Sequence, residues 1–238
     1  MMLPDLTTCA PRSAARPRGA PPVADGVYVP QEDSQLLIGV MASMGLVHRK
    51  RVLDLCTGSG VVAIAAAELG ARGVTAVDIC PRAVRCAAAN ARAAGVDVDV
   101  RQGPWTHALT VAPFEAVVVN PPYVPTPPGA APPAVVGSPA RSWDGGVDGR
   151  AVLGPLCGSA GALLCPGGVL LMVQSEFADV DRSLLDLWAA GLSAEVVAEQ
   201  RIPFGPVLSS RLDWLQRSGR MVPGCRSERL VVIRADKP

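Results

Sequence analysis

The stretch Val52-Leu-Asp-Leu-Cys-Thr-Gly-Ser-Gly60, with Val61-Val-Ala-Ile-Ala-Ala-Ala-Glu-Leu69 behind it, decides the fold. A strand-forming run over Arg51–Leu55 breaks at a glycine-bearing turn and passes into a helix-forming run, the opening of a βαβ unit. Gly58 and Gly60 let the backbone come close to a ligand. They stand at the carboxyl end of a strand, where open α/β sheets bind their ligands.

Outward from this unit the chain keeps alternating. Strands are predicted at Arg51–Leu55, Val74–Val77, Val96–Val100, Ala116–Val119, Val169–Val173, Glu195–Gln200 and Arg229–Ile233. Helices are predicted over Val61–Leu69, Ala83–Ala94 (stopped by Gly95), Val147–Leu164 (ended by Pro166-Gly-Gly168), Asp179–Ala190 and Val207–Gln216. A leading helix follows the extended piece Val27-Tyr-Val-Pro30. Asp33 or Ser34 is placed to cap it, and Leu36, Leu37, Val40, Met41 and Met44 recur at helical spacing. The continuous apolar run at 116–119 suits a parallel strand covered on both faces. The expected fold class is α/β: a Rossmann-like, seven-stranded, mostly parallel sheet with helices on both faces and the last strand antiparallel.

Composition bounds what such a sheet can serve. The chain has 238 residues and a formal net charge of +1, so its overall field gives no ground for binding nucleic acid or an acidic membrane. Apolar runs stop well short of the roughly 18 residues a membrane span needs. Residues 1–26 carry arginines among prolines and no apolar stretch, which reads as a disordered tail and no secretory signal, an organellar transit segment being the alternative. Seven scattered cysteines without a C-x-x-C pair indicate neither a disulfide framework nor a zinc site, and fit a reducing cytoplasm. His48 and His107 read as surface residues. So do Arg201, Arg211, Arg217, Arg220, Arg226 and Arg229 near the C-terminus.

The chemistry concentrates at two strand ends. Asp78 closes the second strand, where a carboxylate can take both hydroxyls of a ribose. Asn120-Pro121-Pro122-Tyr123 follows the fourth, and the prolines hold the asparagine extended at the mouth of the sheet. There the Asn120 carbonyl can accept one N–H of a planar –NH₂ and a neighbouring backbone carbonyl the other, while Tyr123 offers its ring to the plane. Such a nitrogen is a poor nucleophile. Fixed acceptors aim it and strengthen as charge develops, and no strong base is needed because the proton can leave after transfer. Residues 121–139 contain eight prolines and form a long loop, either a gate over the site or a surface connector.

Val52–Gly60, Asp78, Asn120–Tyr123 and Cys165-Pro-Gly-Gly168 together resemble class I S-adenosylmethionine-dependent methyltransferases that act on planar nitrogen. The nearest likeness is to the HemK/PrmC group, the glutamine N5-methyltransferases of peptide-chain release factors. Tyr28-Val-Pro-Gln-Glu-Asp-Ser34 is similar to the leading segment of its compact members, which lack an N-terminal helical domain. Trp143-Asp-Gly-Gly-Val-Asp-Gly-Arg150 is similar to the segment after the proline-rich loop. The resemblance implies one methyltransferase domain over 27–238 and S-adenosyl-L-methionine as cofactor, held by Ser34, Asp54, Cys56, Gly58, Gly60, Asp78, Trp105 and Asn120. It makes Asn120, Pro121 and Tyr123 the catalytic set, with no metal and a release factor as protein partner. Two positions depart from the pattern. Cys56 stands where glycine is usual, and Pro104 stands where an aspartate takes the adenine amino group, a loss of about 1–2 kcal/mol if nothing replaces it.

Three other readings stay open on the residues. The Asn-Pro-Pro-Tyr tetrapeptide also serves adenine-N6 nucleic-acid and small-molecule N-methyltransferases, although no basic run is present for a phosphate chain. Cys56 and Pro104 suit a degenerate fold kept as a non-catalytic binding module. Gly58-x-Gly60-x-x-Ala63 formally matches a dinucleotide fingerprint, but an NAD-dependent oxidoreductase has no use for Asn-Pro-Pro-Tyr.

Overall fold

A computed structural model describes residue 23 and residues 26–129 and 142–238. The tail expected over 1–26 lies outside these residues but for Val23 and Gly26, as do residues 130–139 of the proline-rich loop. Seven strands form one sheet: β1 (Arg51–Leu55), β2 (Gly73–Asp78), β3 (Asp99–Gln102), β4 (Phe114–Val119), β5 (Leu164–Ser175), β6 (Ser193–Pro203) and β7 (Ser227–Asp236). Their order across the sheet is β3-β2-β1-β4-β5-β7-β6. The pairs β1–β2, β1–β4, β2–β3 and β4–β5 are parallel, whereas β7 runs antiparallel to both β5 and β6. The carboxyl ends of β1, β2 and β4 therefore share an edge with the amino end of β7.

Period-two alternation assigns the two faces. Leu53, Leu55, Val117, Val119, Leu170 and Met172 point to one core with Leu156, Leu163 and Leu187 of α4 (Leu153–Leu163) and α5 (Val180–Ala189). Val52, Ala116, Val118, Leu171 and Val173 point to the other, against Leu37 and Met41 of α1 (Glu32–Ser43) and Ala63 and Ala66 of α2 (Val61–Glu68). Each fully buried leucine or valine contributes about 1.5–3 kcal/mol, so the central strands are the firmest part of the fold. Outside them, α3 (Pro81–Ala94) ends at Gly95 as expected.

Several boundaries differ from expectation. Strand β3 covers Asp99–Gln102 rather than 96–100 because Val96 N–H is spent on Ala91 O, closing α3. Helix α4 begins only at Leu153, since Asp144 and Asp148 stabilise turns over 144–151 with side-chain bonds to Gly146 N and Arg150 N. Pro166-Gly-Gly168 lies within β5, where the pairing register with β4 slips between Phe114 and Ala116. The helix expected over 207–216 is two short ones, α6 (Pro206–Ser209) and α7 (Leu212–Arg217). At α1 the N-cap is Gln31, so Asp33 and Ser34 lie inside the first turn with their side chains committed elsewhere.

Candidate active site

A cleft of about 880 Å³ opens along the carboxyl edge of the sheet. β4 is central in the strand order, so Asn120 at its end divides the cleft. One half lies over β1, β2 and β3, lined by Asp54, Cys56, Thr57, Gly58, Asp78, Ile79, Gly103 and Trp105. The other is walled by the ends of β6 and β7 and by α6, through Ile202, Phe204, Leu208, Glu228 and Leu230.

In the first half, two carboxyl groups shape the glycine turn. Asp54, 1% exposed, accepts Thr57 Oγ1–H at 2.6 Å and Ala63 N–H at 3.1 Å through Oδ2. Burial lifts its pKa to about 7, against the pull of those two bonds and with a smaller push from Asp78. Asp78 accepts Gly58 N–H at 2.9 Å and Cys80 N–H at 2.8 Å, and burial raises it as well. Gly58 adopts φ 56° and lines the cleft, and a Cβ there would meet nothing nearer than Cys56 O at 4.0 Å. Cys56 adopts φ 58°, an uncommon conformation outside glycine, and burial pushes its thiol pKa well up, which keeps it un-ionised.

Gly60, between the cleft-lining Ser59 and Val61, is the N-cap of α2 at φ 84°, and a Cβ there would press on Ala87 of α3 at 3.0 Å, so the close packing of α2 on α3 also calls for glycine. Trp105 lines the cleft while packing against the core, at the start of a 3₁₀ turn (Trp105–Thr110). His48 and His107 are exposed, as expected.

Asn120 is oriented by its surroundings. Its Nδ2 donates to Ser34 Oγ at 3.2 Å, which leaves Oδ1 with no protein partner among the described residues. Ser34 Oγ in turn donates to Asp33 Oδ1 at 3.3 Å. The other oxygen of Asp33 accepts the hydroxyls of Tyr28 at 2.9 Å and Tyr123 at 3.1 Å. Burial and the Asp33 carboxylate raise the pKa of both phenols, so they remain donors. Asp33 is thus a hub tying α1 to the Asn-Pro-Pro-Tyr segment. As an amide acceptor held by a hydroxyl that is itself held, Asn120 presents a fixed carbonyl oxygen, the group that receives an N–H from a planar –NH₂.

Sequence reasoning placed Ser34, Asp54, Cys56, Gly58, Asp78, Trp105, Asn120, Pro121 and Tyr123, and all of them line this one cleft. It missed Tyr28, Asp33 and Glu228. It also misread Arg211, which is 5% exposed rather than solvated. Arg211 stacks on Trp143 at 4.5 Å and donates to Pro125 O at 2.7 Å and Thr126 Oγ1 at 2.8 Å, clamping the chain where it leaves Tyr123. Trp143 and Asp144 line the cleft as well, with Asp144 bridged to Val124.

Residues 27–127 match the methyltransferase small domain family. A protein of Methanocaldococcus jannaschii named as a protein N5-glutamine methyltransferase is 32% identical over 178 residues, spanning 75% of this chain and 87% of its own length. The release factor glutamine methyltransferase of Deinococcus radiodurans is 36% identical over 171 residues, 71% of this chain and 61% of that protein. Among solved structures, a chain of the E. cuniculi Mtq2–Trm112 complex, described as responsible for methylation of the eRF1 termination factor, shares the fold. Its TM-score is 0.61 at 20% identity, over 89% of this chain and 99% of that one. No helix among the described residues is long and apolar enough to cross a membrane. The archaeal relative matches over most of its length, and the turn carrying Asp54, the carboxylate at Asp78 and the poised Asn120 amide share one cleft; the chain belongs to the HemK/PrmC family of S-adenosylmethionine-dependent methyltransferases.

Proposed function

We propose that this enzyme methylates the side-chain amide nitrogen of a glutamine in a protein acceptor of the release-factor type, in the cytoplasm. The observation that carries the reading is the Asn120 amide, turned by Ser34 so that Oδ1 is left for an incoming N–H. S-adenosylmethionine supplies the electrophilic methyl group. Gly58 and the carboxyl groups of Asp54 and Asp78 would hold it, with Cys56 and Trp105 lining its half of the cleft. The residues fit such a ligand except at Pro104, which has no side-chain acceptor for an exocyclic amine.

Asn120 Oδ1 accepts one N–H of the acceptor and the Pro121 carbonyl the other, which directs the nitrogen toward the cofactor half. These contacts strengthen as positive charge develops on nitrogen, and the proton departs afterwards to solvent. The Tyr123 ring, pinned through its hydroxyl to Asp33, flanks the amide plane. An adenine acceptor is less well served, because Asp33 and Glu228 wall this region with carboxyl groups where a phosphate chain requires cations. The relatives named for glutamine methylation support the substrate.

The test is Asn120→Ala with tritiated cofactor and a purified release factor or oligonucleotides as acceptors. Label is expected in the release factor alone. The variant should lose at least about a hundredfold in rate, on the scale of one transition-state contact, while calorimetry finds cofactor affinity retained. Equal activity in the variant removes Asn120 from the chemistry, and label in the oligonucleotide alone reverses the substrate.

A further inference from the structure

The acceptor half of the cleft contains a carboxyl group to which neither the family resemblance nor the cofactor assigns a task. Glu228 is near the start of β7, which reaches the carboxyl edge of the sheet only because it runs antiparallel between β5 and β6. It is 8% exposed and lines the cleft with Ile202, its register partner on β6, and with Leu230 two residues along on the same face of the strand. No ion pair among the described residues involves it. Arg229, its neighbour, is committed to Glu176 and Glu199. The groups acting on it are Ser175 at the end of β5, which hydrogen-bonds it, Glu176 just after, and Glu32 and Asp33 of α1. Tyr28 and Tyr123 also sense its charge, and their hydroxyls are already spent on Asp33.

A buried carboxyl with acidic neighbours and no cation is costly as an anion and inexpensive as a neutral acid. Burial, with Asp33, Glu176 and Glu32 adding to it against Ser175, raises its pKa to about 7. In that neutral form it carries an O–H, a donor on a wall otherwise lined by Ile202, Phe204, Leu208 and Leu230. A primary amide presents N–H groups at one end and a carbonyl oxygen at the other. A site complementary to both ends needs an acceptor and a donor, and Asn120 Oδ1 supplies only the first.

We infer that Glu228 is a positioning residue for the methyl acceptor, donating its carboxyl O–H to the amide carbonyl oxygen while Asn120 Oδ1 holds the N–H. The inference rests on the glutamine reading above. Rejection of a glutamate side chain falls to Asn120, for which a carboxylate has no N–H, whereas Glu228 fixes the orientation of the amide that enters. No covalent step passes through Glu228, and its role ends once the amide is aligned.

The experiment compares wild type, Glu228→Gln and Glu228→Ala on a purified release factor with tritiated S-adenosylmethionine between pH 6 and pH 8.5. Cofactor affinity is measured by calorimetry at each pH, which separates any titration of Asp54 in the other half of the cleft. Wild-type kcat/KM for the release factor is expected to fall as pH rises through about 7, approaching tenfold per unit at the alkaline end. Glu228→Gln keeps a donor that does not titrate. It should retain activity within about threefold of wild type at pH 6 and show a flat profile. Glu228→Ala should raise KM by at least about tenfold with melting temperature and cofactor affinity little changed. A Gln variant that keeps the wild-type decline, or an Ala variant with unchanged KM, overturns the Glu228 assignment alone. A wild-type enzyme that labels no release factor overturns the substrate reading, and this assignment with it.

Discussion

Replacing Asp54 by asparagine should flatten the pH dependence of stability, and the structure sets the size of the effect. The carboxyl is 1% exposed, has two hydrogen-bond donors and faces no cation, and its pKa stands near 7 against 3.8 for the free side chain. Between those values the folded protein holds a proton that the unfolded chain has released. Its contribution to stability is therefore full below about pH 4 and disappears as pH rises through 7. From pH 5 to pH 8 this one group should remove roughly 3 kcal/mol, an order-of-magnitude figure from 1.36 kcal/mol per pKa unit. Asparagine keeps an oxygen for Thr57 or Ala63 but buries an amide N–H without an evident acceptor. The variant should start about 1–3 kcal/mol below wild type at pH 5 and lack the Asp54 share of the decline as pH rises, so the gap closes toward pH 8. Urea unfolding at pH 5, 6, 7 and 8 reads both quantities, and the slope rather than the level carries the argument. Glu228, also raised to about 7, adds a decline of the same sign that persists in the Asp54→Asn protein and is removed by adding Glu228→Gln. An Asp54→Asn protein with the wild-type slope would refute the claim that Asp54 is a neutral acid in the folded state.

Two further outcomes follow from single contacts. Ser34→Ala frees the Asn120 amide to turn, so kcat should fall roughly fivefold for the loss of one hydrogen bond of about 1 kcal/mol, with cofactor affinity little changed in calorimetry; an unchanged kcat means that Asn120 is oriented without Ser34. Pro104→Asp restores a carboxylate beside Trp105 and should tighten S-adenosylmethionine binding by roughly tenfold; an unchanged Kd means that another group already serves the adenine.

What the sequence disclosed and what it withheld divide along sequence distance. β1, β4 and the turn between Leu55 and Val61 could be read directly, because short continuous apolar runs and glycine punctuation are local signals. Asn120 was legible for the same reason, since two following prolines dictate its backbone. The hub at Asp33 was not. Its bond to Tyr123 joins residues 90 apart and the Ser34–Asn120 bond residues 86 apart, and before folding Asp33 looks like an ordinary helix cap. Arg211 reads as one more surface cation until Trp143 and Pro125, also far away in the chain, close around it. Glu228 depends on topology of a higher order. Its place at the cleft exists only because β7 inserts antiparallel between β5 and β6, which no pattern within Ser227–Asp236 specifies.

Gly60 shows the converse case, a local signal with a second reason behind it. Glycine answers two different demands, a backbone bare to a ligand and a backbone crowded by a neighbouring element, and both leave the same letter in the sequence. At Gly58 a Cβ would meet nothing nearer than Cys56 O at 4.0 Å, whereas at Gly60 it would meet Ala87 at 3.0 Å. The distinction makes the two positions separable by substitution, although both have positive φ and both incur backbone strain. Exchange of Gly58 for alanine adds its methyl on the ligand side and should act chiefly on cofactor affinity, whereas exchange of Gly60 drives α2 from α3 and should act chiefly on folding. The glycine pattern that announces the fold therefore joins one residue that lines the cleft to one packed against the helix behind it.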